Sequence, residues 1–179
     1  MANFMELAPR AQRQIIRRME PLEPPALHQA QAAYGWLELG NVEEAFAELE
    51  RLPEELQLLP AVQAVRLDCL MAAKDWNAAV KLAQVLCGQW AEEPGLWLHY
   101  AYAARRCAGG STEAAYELLA PCVERFPEEW LIPYNVACYL CPMERLDEAR
   151  AMLEMARAKG GERVDAMAKD DEDLAPLNL

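Results

Sequence analysis

Cys138 and Cys141 lie three residues apart in PYNVACYLCPM, residues 133–143, and theirs is the spacing nearest to a chemical motif in this chain. Two thiols so placed can hold a metal or cycle through a disulfide. Redox pairs of this kind need one thiol at a helix N-terminus, where the dipole lowers its pKa. Structural zinc needs four ligands, usually two such pairs. Here Pro133 is nearer the start of the predicted helix than either thiol, and Cys69, Cys87, Cys107 and Cys122 form no second pair. Three apart on a helix, the two thiols share one face, and a free cysteine packs as a small apolar residue. The stretch therefore reads as a helix face that lines a core or a groove. The alternative is a metal- or thiol-dependent protein using Cys138, Cys141 and His99.

Other reactive residue types are no better placed. His28 and His99 fall on different predicted helices with no nucleophile beside them, and packing or surface roles are expected for both. Gly109-Gly110-Ser111-Thr112 has the glycines of a phosphate loop, but no lysine follows, so it reads as a turn between helices. No GxSxG elbow is present. The 29 Asp and Glu recur at turns and helix starts, where the helix dipole favours them, and single out no acid–base pair. Neither catalysis, cofactor nor metal is expected.

The elements that would carry these residues are helical. Ala and Leu are abundant and Gly is held to 8 residues, a balance that favours helix. With 54% hydrophobic and 26% charged residues the chain suits a folded protein. A net charge of −12 opposes binding to nucleic acid or to an anionic membrane, so the expected partner is a protein or peptide, basic or amphipathic. No apolar run reaches the roughly 18 residues of a spanning helix. The first twenty residues lack the continuous apolar core of a signal peptide. Six irregularly spaced cysteines read as reduced thiols. Together these features point to the cytoplasm.

The chain also repeats itself. GNVEEAFAEL, KDWNAAVKLA, GSTEAAYELL and ERLDEARAML carry anchoring alanines at Ala45, Ala79, Ala115 and Ala149, spaced 34, 36 and 34 residues apart. An amphipathic segment with helical period precedes each run, at 26–39, 61–73, 96–108 and 131–143. Asn41, Asp75 and Ser111 are placed to cap the second helices. Pro53, Pro60, Pro94 and Pro127 fall between units, where helices should stop. The acidic doublets 54–55, 92–93 and 128–129 stand just upstream of the next helix.

Helix, turn and helix in about 34 residues resembles the tetratricopeptide repeat family over residues 26–160. The family keeps small residues where its two helices cross. Ala33, Ala103 and Ala137 match on first helices and the four anchoring alanines on second helices, while Leu67 departs from the rule. Lys74 and Glu144 stand where the turn glycine is usual. The resemblance implies an all-α, right-handed superhelix of four units, at about 26–59, 60–95, 96–129 and 130–160. Residues 1–25 would form an N-terminal helix, at 8–20 with Ile15, Ile16 and Met19 on one side, and a Pro-rich linker. Residues 161–179 would form a capping helix and an acidic tail. Val164, Met167 and Leu174 are expected to cover the last hydrophobic face, and Asp170–Asp173 to be solvated charge.

In this family first helices line a concave groove. The positions so placed include Gln31, Tyr34 and Leu37, then Asp68 and Met71, then Trp97 and Tyr100, then Tyr134, Asn135 and Cys138. The partner-contacting set is expected to be Tyr34, Leu37, Asp68, Met71, Trp97, Tyr100, Tyr134 and Asn135, with aromatics giving contact area and Asn135 gripping a backbone amide. Family members that clamp the C-terminal carboxylate of heat-shock chaperones use Lys, Arg and Asn. The matching places here hold Ala30, Tyr34, Ala64 and Asp68, so that clamp is not expected. The fourth unit is similar to small bacterial family members that carry PYNxACYxC before an acidic extension. The reading is thus an adaptor, scaffold or chaperone, monomeric or weakly dimeric. A chaperone for a hydrophobic export substrate, of the type III secretion kind, is the narrower alternative.

Overall fold

A computed structural model describes residues 22–178. The helix expected at 8–20 lies outside the described residues. In chain order the helices are α1 (Ala26–Glu38), α2 (Val42–Glu50), α3 (Glu54–Gln57), α4 (Pro60–Ala72), α5 (Trp76–Gln89) and α6 (Pro94–Arg106). There follow α7 (Thr112–Leu119), α8 (Cys122–Arg125), α9 (Leu131–Leu140), α10 (Leu146–Gly160), α11 (Glu162–Ala168) and a 3-10 helix at Glu172–Leu177. No strand occurs among the described residues, so the fold is all-α.

The long helices pair as α1–α2, α4–α5, α6–α7 and α9–α10, and consecutive hairpins pack one against the next. Asn41, Asp75 and Ser111 do cap the second helices, accepting from the amides of Glu44, Ala78 and Ala114 at 3.3, 3.1 and 3.1 Å. Each caps an amide that has no partner inside its helix. Ala33, Ala45, Ala79, Ala103, Ala115, Ala137 and Ala149 are all wholly buried. Small side chains there let the helices of a hairpin lie close. Where Leu67 replaces a small residue, it is buried too.

Two of the prolines act differently from the expectation. Pro60 and Pro94 are the first residues of α4 and α6 rather than terminators. At that position the missing amide hydrogen is not needed and the fixed φ already suits a helix. Glu54 and Glu55 likewise lie within α3 rather than upstream of a helix.

Two apolar clusters form the core. One joins the first two hairpins and α6, and the other joins α6, α7, α9, α10, α11 and the 3-10 helix. Helix α6 serves both, turning Leu96 and Ala103 into the first and Leu98 and Ala101 into the second. Val164, Met167, Leu174 and Leu177 are buried in the second cluster.

All four inter-helix turns use a left-handed residue: Gly40, Lys74, Gly109 and Glu144, with φ of 75°, 58°, 77° and 60°. Side chains are strained there and glycine is not. Lys74 and Glu144 are exposed. Lys74→Gly and Glu144→Gly should each add about 1 kcal/mol, seen as a Tm higher by ~2–4 °C. Gly110→Ala should lower the Tm, because its Cβ would stand 2.0 Å from the Ala104 carbonyl oxygen.

Candidate functional site

The first helices present one side on which polar side chains reach beyond their own hairpin. At its N-terminal end three hairpins meet in one buried network. The Tyr34 hydroxyl on α1 donates to Asp68 Oδ2 on α4 at 2.7 Å. Asp68 Oδ1 faces His99 Nε2 on α6 at 3.2 Å. His99 Nδ1 donates to the Gly95 carbonyl at 2.6 Å. The three side chains are buried. A carbonyl can only accept, so Nδ1 carries a hydrogen. Nε2 faces a carboxylate, so it needs one as well. The site therefore favours the doubly protonated ring. Burial opposes that charge, but the Asp68 hydrogen bond, its negative charge and the Gly95 carbonyl outweigh burial and raise the His99 pKa.

At the other end the acidic tail lies against α6 and α9. Arg105 forks Asp173, donating to Oδ2 at 2.6 Å and to Oδ1 at 2.8 Å. This pair is about 13% and 15% exposed, sheltered enough to matter more than a surface ion pair. Tyr134 donates its hydroxyl to Asp171 Oδ2 at 2.9 Å, and the Cys138 thiol points at the same oxygen from 3.7 Å. Arg106 lies over the Tyr102 ring, 3.4 Å from its centroid. Arg105, Arg106, Tyr102, Tyr134, Asn135 and Tyr139 help line a cavity of about 30 Å³ beneath the tail. That is room for a water or two. Among the described residues, the buried Tyr139 hydroxyl has no hydrogen-bond partner.

The thiols of this region are poor nucleophiles. Burial, then the charges of Asp171 and Asp173, push the Cys138 pKa well up. Burial likewise raises Cys141, and it pushes Cys69 and Cys87 up to about 12. A thiolate is required both for attack and for metal ligation. All six cysteines are free. Among the described residues no three His, Cys, Asp or Glu side chains converge as a metal cage would need.

The residues expected to meet a partner are spread over several environments. Tyr34 and Asp68 are joined to each other, and Tyr134 is joined to the tail. Leu37 is half-buried against the first cluster. Met71 is 1% exposed and belongs to the core, so it presents no surface to a partner. Trp97 donates its indole N–H to the Ala91 carbonyl at 2.8 Å and lies beneath Arg125. Tyr100 tilts against Trp97, with ring centroids 6.5 Å apart. The Asn135 amide donates to its own helix at the Leu131 carbonyl, 2.8 Å away, so that donor is spent locally.

On α6 it is His99, Tyr102, Arg105 and Arg106 that reach Asp68 or the cavity. The sequence reading passed over them by placing Trp97 and Tyr100 on that side. The signal available was the Arg105-Arg106 pair, two adjacent cations closing an apolar helix in an acidic chain. The expectation that Asp170–Asp173 is solvated is corrected too. Asp170 and Glu172 are exposed, but Asp171 and Asp173 turn inward because Tyr134 and Arg105 offer them donors. No family model, curated protein or solved structure matches this chain.

The His99 charge sets a pH dependence. Its folded pKa is raised above the unfolded value of about 6.5. The Asp68 pair therefore contributes fully below that value, and the contribution is lost as pH rises through the folded pKa. His99→Gln should cost about 3 kcal/mol at acidic pH. The gap between parent and variant should shrink as pH climbs. Thermal melts of both proteins from about pH 5 to about pH 9 check this, and a constant gap would contradict the imidazolium.

Proposed function

We propose that this protein is a non-catalytic interaction module of the tetratricopeptide repeat kind, an adaptor or chaperone that takes a peptide segment along the side built by its first helices. One observation carries the reading. A peptide segment already lies there: residues 171–177 of the chain itself, with their carboxylates held by Arg105 and Tyr134. The hairpin period, the buried alanines at the crossings and the left-handed turns support four units of a right-handed superhelix. The binding side would then be its concave groove.

The chemistry supports binding rather than turnover. His99 is held between Asp68 and Gly95 with both ring nitrogens engaged, which leaves neither open to a substrate. The protonated thiols are unsuited to attack. Six unpaired cysteines accord with a reducing compartment such as the cytoplasm.

Photo-crosslinking tests the face. Gln31 is exposed and lies three residues from Tyr34, on the same side of α1. Val85 is 55% exposed on the second helix of its hairpin. Benzoylphenylalanine at position 31 should capture a defined protein from lysate of the source cells, and the same probe at position 85 should not. Identical adducts from both positions, or none from position 31, would sink the reading.

A further inference from the structure

The cleft under the tail has a sign opposite to that of the whole molecule. The chain carries −12, yet Arg105 and Arg106 both line this cavity, and the groups that meet the tail are donors. Arg105, Tyr134 and the Cys138 thiol all offer hydrogens to carboxylates. The occupant shows what the cleft selects. It presents two carboxylates two residues apart, Asp171 and Asp173, followed at once by Leu174, which is 1% exposed. Arg150 donates to the Leu177 backbone carbonyl at 3.0 Å, a contact any sequence could make.

A cavity remains beneath the occupant, and beside it the Tyr139 hydroxyl, on a side chain only 2% exposed, has no partner among the described residues. A buried donor left unsatisfied is a standing cost that a better acceptor would relieve. A tethered segment nonetheless excludes free competitors through its high effective concentration.

We infer that the seat of Asp171–Leu177 is a recognition site for an acidic segment of another protein, two carboxylates two residues apart followed by an aliphatic side chain, and that this chain's tail is its resident competitor. The inference rests on the module reading and replaces the basic partner suggested by net charge with an acidic one. Arg105 is the specificity-determining residue, since its planar fork matches a carboxylate in two places.

The probe is a fluorescein-labelled peptide of residues 169–178, KDDEDLAPLN. Its anisotropy is followed with the full-length parent, with D171N/D173N, and with D171N/D173N/R105Q, each checked for folding by circular dichroism. The asparagines keep the shape of the tail and weaken its hold. Binding to D171N/D173N should be at least about tenfold tighter than to the parent, since a tether's advantage is lost, and R105Q should reverse that gain. Equal binding by the parent and D171N/D173N, or by none of the three, overturns the proposal. Should D171N/D173N unfold, hydrogen exchange on the parent decides. Saturating peptide must raise exchange at residues 172–178 and leave α9 protected, and unchanged exchange overturns the proposal. A parent dimer that the peptide disperses would show that the seat serves a second copy, which also overturns it. Capture from position 31 with failure here removes this inference and leaves the module reading standing.

Discussion

Two helices can lie backbone to backbone only where neither carries bulk at the crossing. The rest of this molecule depends on that constraint, met by both helices in three hairpins and by one helix in the second. Seven alanines meet it and are wholly buried. The hairpins they allow are narrow enough to stack, and stacking is what brings residues about 34 positions apart into contact. The Tyr34–Asp68 bond is of that kind. Leu67 is the one bulky residue at these positions, and it too is buried. Hydrophobic burial alone would accept many helix arrangements. The small residues select this one.

The polar interior follows from the stacking. Buried charges are tolerated when they are paired and hydrogen-bonded. Asp68 satisfies this by taking donors from the hairpins on both sides of it. Arg105 and Asp173 satisfy it with a two-point fork. Both networks lie on the first-helix side and both link elements distant in sequence. Their energy therefore depends on the relative rotation of neighbouring hairpins, which apolar contacts fix only loosely.

Much of the fold was legible because its causes are local. A cap needs one side chain three residues from an amide, and Asn41, Asp75 and Ser111 announce theirs in the sequence. The alanine period is equally plain. Prolines were read only in part, because one such residue can end a helix or begin one, and Pro60 and Pro94 begin theirs. The site was harder to read. A helix that turns by one residue about its axis exchanges Tyr100 for His99, and that rotation is set by packing against α5 on one side and α9 on the other. Asp171 and Asp173 looked like solvated charge because their donors stand 37 and 68 residues away, on helices that come near only in the folded chain. Local patterns carry no record of such partners.

The Tyr34–Asp68–His99 network has a consequence for how this chain can change over time. Each of the first three hairpins supplies one member, and each member is of a different type. Repeat arrays commonly lengthen or shorten by copying or deleting a unit. Here, deletion of the second hairpin would leave a buried histidine without its carboxylate, and duplication would set one buried aspartate against another. Helix α6, shared by both cores, adds a second bond between units that look alike. The hairpins share a shape, but they are not exchangeable parts, and the length of the array is locked by the chemistry between its members.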